Sequence, residues 1–284
     1  MSTLADLNPL AAARAGFGTG AARLVSYGLT NPATASSFWW ATRLLPAPRR
    51  EAMCALRAFY QEVKDIADGD ASRPLRLALL ADWRGEIALL YAGRPRKVPT
   101  RALAQAVQSY GLKCTDFIAI IEGMEMAARG DLRAPSLATL DRYCECAPVA
   151  AGRLALRISG DETPAGECLA AALGRALQLT DILCHLVEDA DRGRLDLPGE
   201  LLRARGIFAT TPSWVLAQPG LGDVCRELAV LAAKHYVAAA EAIAAVPRRN
   251  ARPAAAILGI YRALLGALVA GGWADLRAPV RMAI

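Results

Sequence analysis

A chain of 284 residues with 54% hydrophobic and 21% charged side chains can bury a substantial core, as one large domain or two small ones, and no shift in composition marks a linker. The formal charge of +6 is modest for this length, and no basic run interleaved with aromatics is present, so nucleic acid is not an expected partner. The basic excess suits anionic small molecules or acidic lipid headgroups.

Alanine, leucine and arginine are abundant while valine, isoleucine and aromatic residues are comparatively few. That balance favours helix formers over strand formers, and the expected fold class is all-α. Apolar residues return every three or four positions and predict helices near 34–45, 48–68, 74–91, 99–112, 115–129, 136–159, 164–190, 221–245 and 252–273. Residues 1–30 are expected to be loosely ordered, and 1–284 to form a single domain.

Along the chain, Pro48 opens the second of these helices at a tolerated first-turn position and Gly69 follows its acidic end. Residues 192–213, with Pro198, Gly199, Gly206 and Pro212, have no sustained helical period and predict a loop with at most a short helix. Cys54, Cys114, Cys144, Cys146, Cys168, Cys184 and Cys225 are an odd set without ligand-pair spacing, expected to be reduced thiols of a cytoplasmic protein.

The opening "MSTLADLNPLAAARAGFG" has no basic start followed by an unbroken apolar run, so no secretory signal is expected. The stretch "PAAAILGIYRALLGALVAGGWADL" is interrupted by Arg262 and falls short of a clean span of about 20 apolar residues. The chain is expected to be soluble, with peripheral contact at the inner face of a membrane left open.

Two helix ends carry the chemistry. In "QEVKDIADGD", Glu62, Asp65 and Asp68 recur at threes and share one face. Later, Asp181, His185 and Asp189 recur at fours, with Glu188 beside the last. Two such helices facing one another could hold divalent ions bridging to a diphosphate, because Mg²⁺ takes oxygen ligands from one or two carboxylates plus substrate phosphate. Carboxylates at helical spacing equally suit a solvated face.

The surrounding text narrows the choice. "SSFWWATRLLPAPRREAMCALRAFYQEVKDIADGD", "GMEMAARGD", "YCECAPVAAGRLALRISG", "ALQLTDILCHLVEDADRGRLDLPGELL" and "ARPAAAILGIYRALL" follow one another as in the squalene and phytoene synthase family, which the chain resembles from about residue 30 to 275. The resemblance implies an isoprenoid synthase bundle around a central cavity that condenses two prenyl diphosphates head to head. The members it most resembles, of the hopanoid pathway, turn two farnesyl diphosphates into presqualene diphosphate. The cofactor implied is Mg²⁺, with Mn²⁺ as the substitute.

Carried over residue by residue, the resemblance implies that Asp65, Asp68, Glu188 and Asp189 share the metal ions, with Asp181 and His185 as further ligands. Arg43, Arg194 and Arg252 would hold diphosphate, and Ser37 and Tyr143 would touch substrate near the reacting carbons. Phe38, Gln178 and Tyr261 also keep the family pattern as substrate contacts.

Both acidic motifs depart from that pattern. Where the family has Arg, Asp and Asp, this chain has Gln61, Lys64 and Asp68. Where it has Asn, Arg, Asp and Asp, this chain has Asp181, Cys184, His185 and Asp189, and Asp196 stands where Tyr is common. Lys64 is expected to pair with Asp68 one turn on, the alternative being direct contact with diphosphate. His185 is either a metal ligand or a side chain hydrogen bonded to Asp181 or Asp189. Cys144, Cys146 and Cys184, and the aromatics at 38–40, suit core or cavity wall. The functional alternative to a condensing enzyme is a catalytically silent member of the same fold that binds an isoprenoid or a partner protein.

Overall fold

The computed structural model describes residues 41–273 and Leu276. Among the described residues there are helices and turns but no strands. α1 (Ala47–Asp68), α2 (Arg73–Tyr91), α3 (Val98–Ser109) and α4 (Cys114–Arg129) form the first half. Three of these start with Pro in the first turn, where the missing N–H has no intrahelical partner to lose.

α5 (Leu137–Cys144), a π-helical segment (Glu145–Val149) and α6 (Ala150–Ser159) follow without a break in direction. The single helix expected over 136–159 is thus continuous but wider in its middle turn, at Pro148, which cannot donate a helical hydrogen bond. Two neighbours fit this segment only because they lack a side chain. A Cβ on Gly123 would lie 2.9 Å from the Ala147 Cβ, and one on Gly174 would lie 2.9 Å from the Val149 nitrogen. Ser136 caps α5 through the Thr139 N–H, at 3.0 Å.

α7 (Pro164–Cys184) is capped by Thr163, whose hydroxyl accepts from the Gly166 N–H. The helix expected over 164–190 breaks at His185, whose φ of −113° and ψ of 20° leave the helical region, and resumes as α8 (Leu186–Asp191). In the stretch expected as loop, α9 (Gly199–Ala204) is the short helix, and α10 (Pro212–Leu216) begins at its end. α11 (Leu221–Ala245) matches its expected bounds, whereas α12 (Arg248–Gly271) starts four residues earlier than expected and carries Pro253 inside its second turn. The helix expected near 34–45 lies mostly outside the described residues.

Two cores result. Phe59 and Val63 of α1 are fully buried against α2 and α4. The Phe59 ring meets Trp83 and Phe117 edge-on at centroid distances of 5.5 and 5.3 Å. In the other half α11 packs along α7, and the buried Tyr236 hydroxyl meets the Thr180 hydroxyl at 2.8 Å. α11 and α12 are long and apolar enough to cross a membrane by length and composition, and both pack into the bundle.

Candidate functional site

A cavity of about 410 Å³ opens between α1, the π segment with α6, α7 and α12, within the size range of small-molecule sites. Its inner wall is apolar, with Leu56, Ala151, Gly152, Ala155, Leu173 and Leu177 on three sides. Arg57, Tyr60, Gln61, Lys64 and Asp68 of α1 recur at threes and fours, so one stripe of that helix brings charge to the cavity. Opposite them stand Gln178, Asp181, His185, Asp189, Arg192 and Arg194.

The charged groups at this end are already joined to one another. Lys64 Nζ lies 3.0 Å from Asp68 Oδ2, the pairing expected from the sequence. Arg194 reaches across with Nη1 2.6 Å from Asp68 Oδ1 and bonds Asp189 Oδ1 through Nη2. His185 Nδ1 lies 3.2 Å from Asp181 Oδ1 and 3.0 Å from the Asp181 carbonyl oxygen.

These pairs set the protonation states. Burial alone would raise the Asp68 carboxyl, but the charges and hydrogen bonds of Lys64 and Arg194 hold it below the ordinary carboxylate range. Asp68 in turn holds the Lys64 ammonium well above its usual value. Burial opposes the His185 charge, yet the hydrogen bond and field of Asp181 outweigh it and push the imidazole up to about 9. Burial, with the Asp189 charge, pushes the Asp196 carboxyl up to about 7.

Of the residues singled out in the sequence, Lys64, Asp68, Gln178, Asp181, His185, Asp189, Arg194 and Tyr261 line the cavity. Asp65 and Glu188 do not, since each lies one residue, or about 100° of helix, from a neighbour that does. Asp65 is exposed and accepts a hydrogen bond from the Gln61 amide at 2.7 Å. Arg43 and Arg252 are exposed and off the wall, Arg252 because the next residue, Pro253, takes the inward position.

Tyr143 is buried behind the wall, close enough to Lys64, Asp68 and Asp196 to feel their charges. Ser37 and Phe38 lie outside the described residues. Arg57, Tyr60 and Arg192 on the wall were not singled out. The heptad that joins Arg57 to Lys64 was the signal available for the first two.

The divalent ion implied by the resemblance does not fit this donor set as it stands. Among the described residues no three His, Cys, Asp or Glu side chains gather closely enough to hold a metal ion. Asp68 and Asp189 are bonded to Arg194, and Asp181 is bonded to His185.

Residues 32–283 match the model of the family described as squalene/phytoene synthase. The chain belongs to the squalene/phytoene synthase family. Family members use prenyl diphosphates and usually need a divalent metal ion. A presqualene diphosphate synthase of Rhodopseudomonas palustris is 45% identical over 252 residues, covering 88% of this chain and 89% of that protein. One from Zymomonas mobilis is 41% identical over 250 residues, with 88% and 85% covered. Among solved structures, a dehydrosqualene synthase in complex with ligand superposes with a TM-score of 0.73 at 25% identity, covering 87% of this chain and 86% of its own. The all-α isoprenoid synthase fold expected from the family resemblance is the fold found.

Proposed function

We propose that this family member is a prenyltransferase that condenses two molecules of farnesyl diphosphate into presqualene diphosphate, with release of diphosphate, as one isoprenoid synthase-like domain. The observation that carries the reading is the cavity's division of labour. Part of its lining is apolar and part carries more cationic than acidic side chains, which suits an amphiphile with a long hydrocarbon tail and an anionic head. The 41–45% identity to presqualene diphosphate synthases over most of the chain agrees with it.

In this reading the tails lie along Leu173, Leu177 and the small residues of α6, while the heads face Lys64, His185 and Arg194. Fixed cationic donors stabilise charge on the departing diphosphate, and an apolar wall shields the allylic cation left behind. Gln178 and Tyr261 border the cavity where they can orient the ligand. Arg43, Arg252, Ser37 and Phe38 keep the diphosphate and substrate roles that the resemblance gives them. Tyr143, behind Lys64 and Asp68, acts through those two side chains. Asp65 and Glu188 act from beside the cavity, on the turns that carry Lys64 and Asp189. The cytoplasm is the proposed location, in keeping with seven cysteines that form no disulfide.

The test is incubation of the purified chain with farnesyl diphosphate in Mg²⁺, in Mn²⁺ and in chelator, with analysis of products and released diphosphate. Presqualene diphosphate in any of the three supports the reading. Absence of released diphosphate in all three overturns it, and leaves a fold that binds without turning over.

A further inference from the structure

We infer that the chain holds the diphosphate end of its ligand through side-chain cations and donors, Lys64, Arg194 and His185 foremost, without a divalent metal ion. This rests on the reading of the ligand as a prenyl diphosphate and adds how its head is recognised. At positions 64 and 185, where the family pattern has carboxylates, this chain carries an amine and an imidazole.

Three observations converge. First, the cavity carboxylates are matched before any ion arrives. Asp68 has Lys64 at 3.0 Å and Arg194 at 2.6 Å, Asp189 shares Arg194, and Asp181 has His185. A divalent ion at Asp68 would have to displace one of two cations and then sit beside both.

Second, nitrogen atoms on two of these side chains lack partners. Arg194 Nε and His185 Nε2 are buried with no hydrogen-bond partner, on residues that line the cavity. His185 is 95% withdrawn from solvent, at 5% exposure, and its Nδ1 already faces two Asp181 oxygens. A buried guanidinium N–H left without an acceptor carries a desolvation cost that an incoming anionic oxygen relieves.

Third, the lining carries Arg57, Lys64, Arg192 and Arg194 against three carboxylates, Asp68, Asp181 and Asp189. That excess attracts an anion directly, whereas a cavity built to gather Mg²⁺ first is expected to be acidic.

The experiment is calorimetric titration of the full chain with farnesyl diphosphate, once in chelator and once in excess Mg²⁺, with farnesol as the uncharged comparison. Affinities within roughly threefold of each other in the two buffers, and farnesol weaker by about tenfold or more, are expected. Binding that strengthens by about tenfold or more on adding Mg²⁺ overturns the inference while leaving the prenyl diphosphate reading intact. Failure of farnesyl diphosphate to bind in either buffer overturns that reading, and the inference with it.

Restoring both carboxylates, Lys64→Asp with His185→Asp, should make binding depend on Mg²⁺. Binding by this folded double variant that is equally tight in both buffers would show that these side chains do not set the metal requirement, which also overturns the inference. Circular dichroism checks its fold. If it does not fold, Lys64→Gln takes its place, expected to weaken binding about tenfold in both buffers. An unchanged affinity there has the same overturning meaning.

Discussion

The two faces of α1 follow different rules. On one, Phe59 and Val63 are fully buried among Trp83, Phe117 and their neighbours, and nothing there needs a hydrogen bond. On the other, Tyr60, Lys64 and Asp68 look into a cavity, half withdrawn from water, and each charge has found an opposite one. Packing sets the first face and charge pairing the second. The same helix therefore tolerates very different substitutions on its two sides.

The comparison breaks most visibly at Phe59. Phe59→Ala removes a ring packed edge-on between two others, and should cost about 3–5 kcal/mol in denaturant unfolding. A loss below about 1 kcal/mol would show that the aromatic cluster is not the core of that half.

Gly174→Ala tests the wall opposite. Its new Cβ would lie 2.9 Å from backbone that cannot move aside, for a loss of about 2 kcal/mol by the same measurement.

Arg194→Gln tests the charged face. It leaves Asp68 and Asp189 without their shared partner, and with the arginine side chain 30% exposed the expected loss is about 1–2 kcal/mol. The exposed pair Arg205–Glu227, at 2.9 Å, is the control, and Arg205→Gln should cost under about 1 kcal/mol. Equal losses in the two variants would mean that the cavity pairs act like ordinary surface pairs.

The effect at Asp196 should be seen only at some pH values. Folded Asp196 keeps its proton to about pH 7, while the unfolded carboxyl loses it near its ordinary value. Between the two the fold binds more protons, so stability falls as pH rises through that window. Asp196→Asn cannot ionise, so it should exceed the native chain in melting temperature at pH about 8 and match it below pH about 4. A difference of equal size at both pH values would contradict the raised carboxyl.

Much of this was legible in the sequence. Helical periodicity fixed α1, α2, α4 and α11 to within a residue or two, because their apolar stripes are long and their ends are marked by Pro or Gly. The Lys64–Asp68 pair was legible from spacing alone. The breaks were not. The helix stop at His185 follows from no Pro or Gly, and its ring nitrogen bonds the Asp181 carbonyl oxygen just where the main chain turns. The π segment announces itself only through Pro148, which a helix can also absorb as a kink. Which of two adjacent carboxylates faces inward was also beyond a pattern of threes and fours. Asp65 and Glu188 fell on the outer side of turns whose inner side is Lys64 and Asp189.

The close fit of α4 and α7 on the π segment has a consequence for ligand size. Gly123 and Gly174 bring those helices onto the main chain around Ala147 and Val149, and the wall just after it is Ala151, Gly152 and Ala155. Around these three residues the chamber wall is made of backbone and single methyl groups. These three positions can be thickened by substitution, which shortens the space available to a hydrocarbon tail, but they have almost nothing left to trim. A sequence change that admits a longer tail has to come from the larger lining side chains, such as Met53, Leu56, Leu173 and Leu177, which still carry carbon that can be removed.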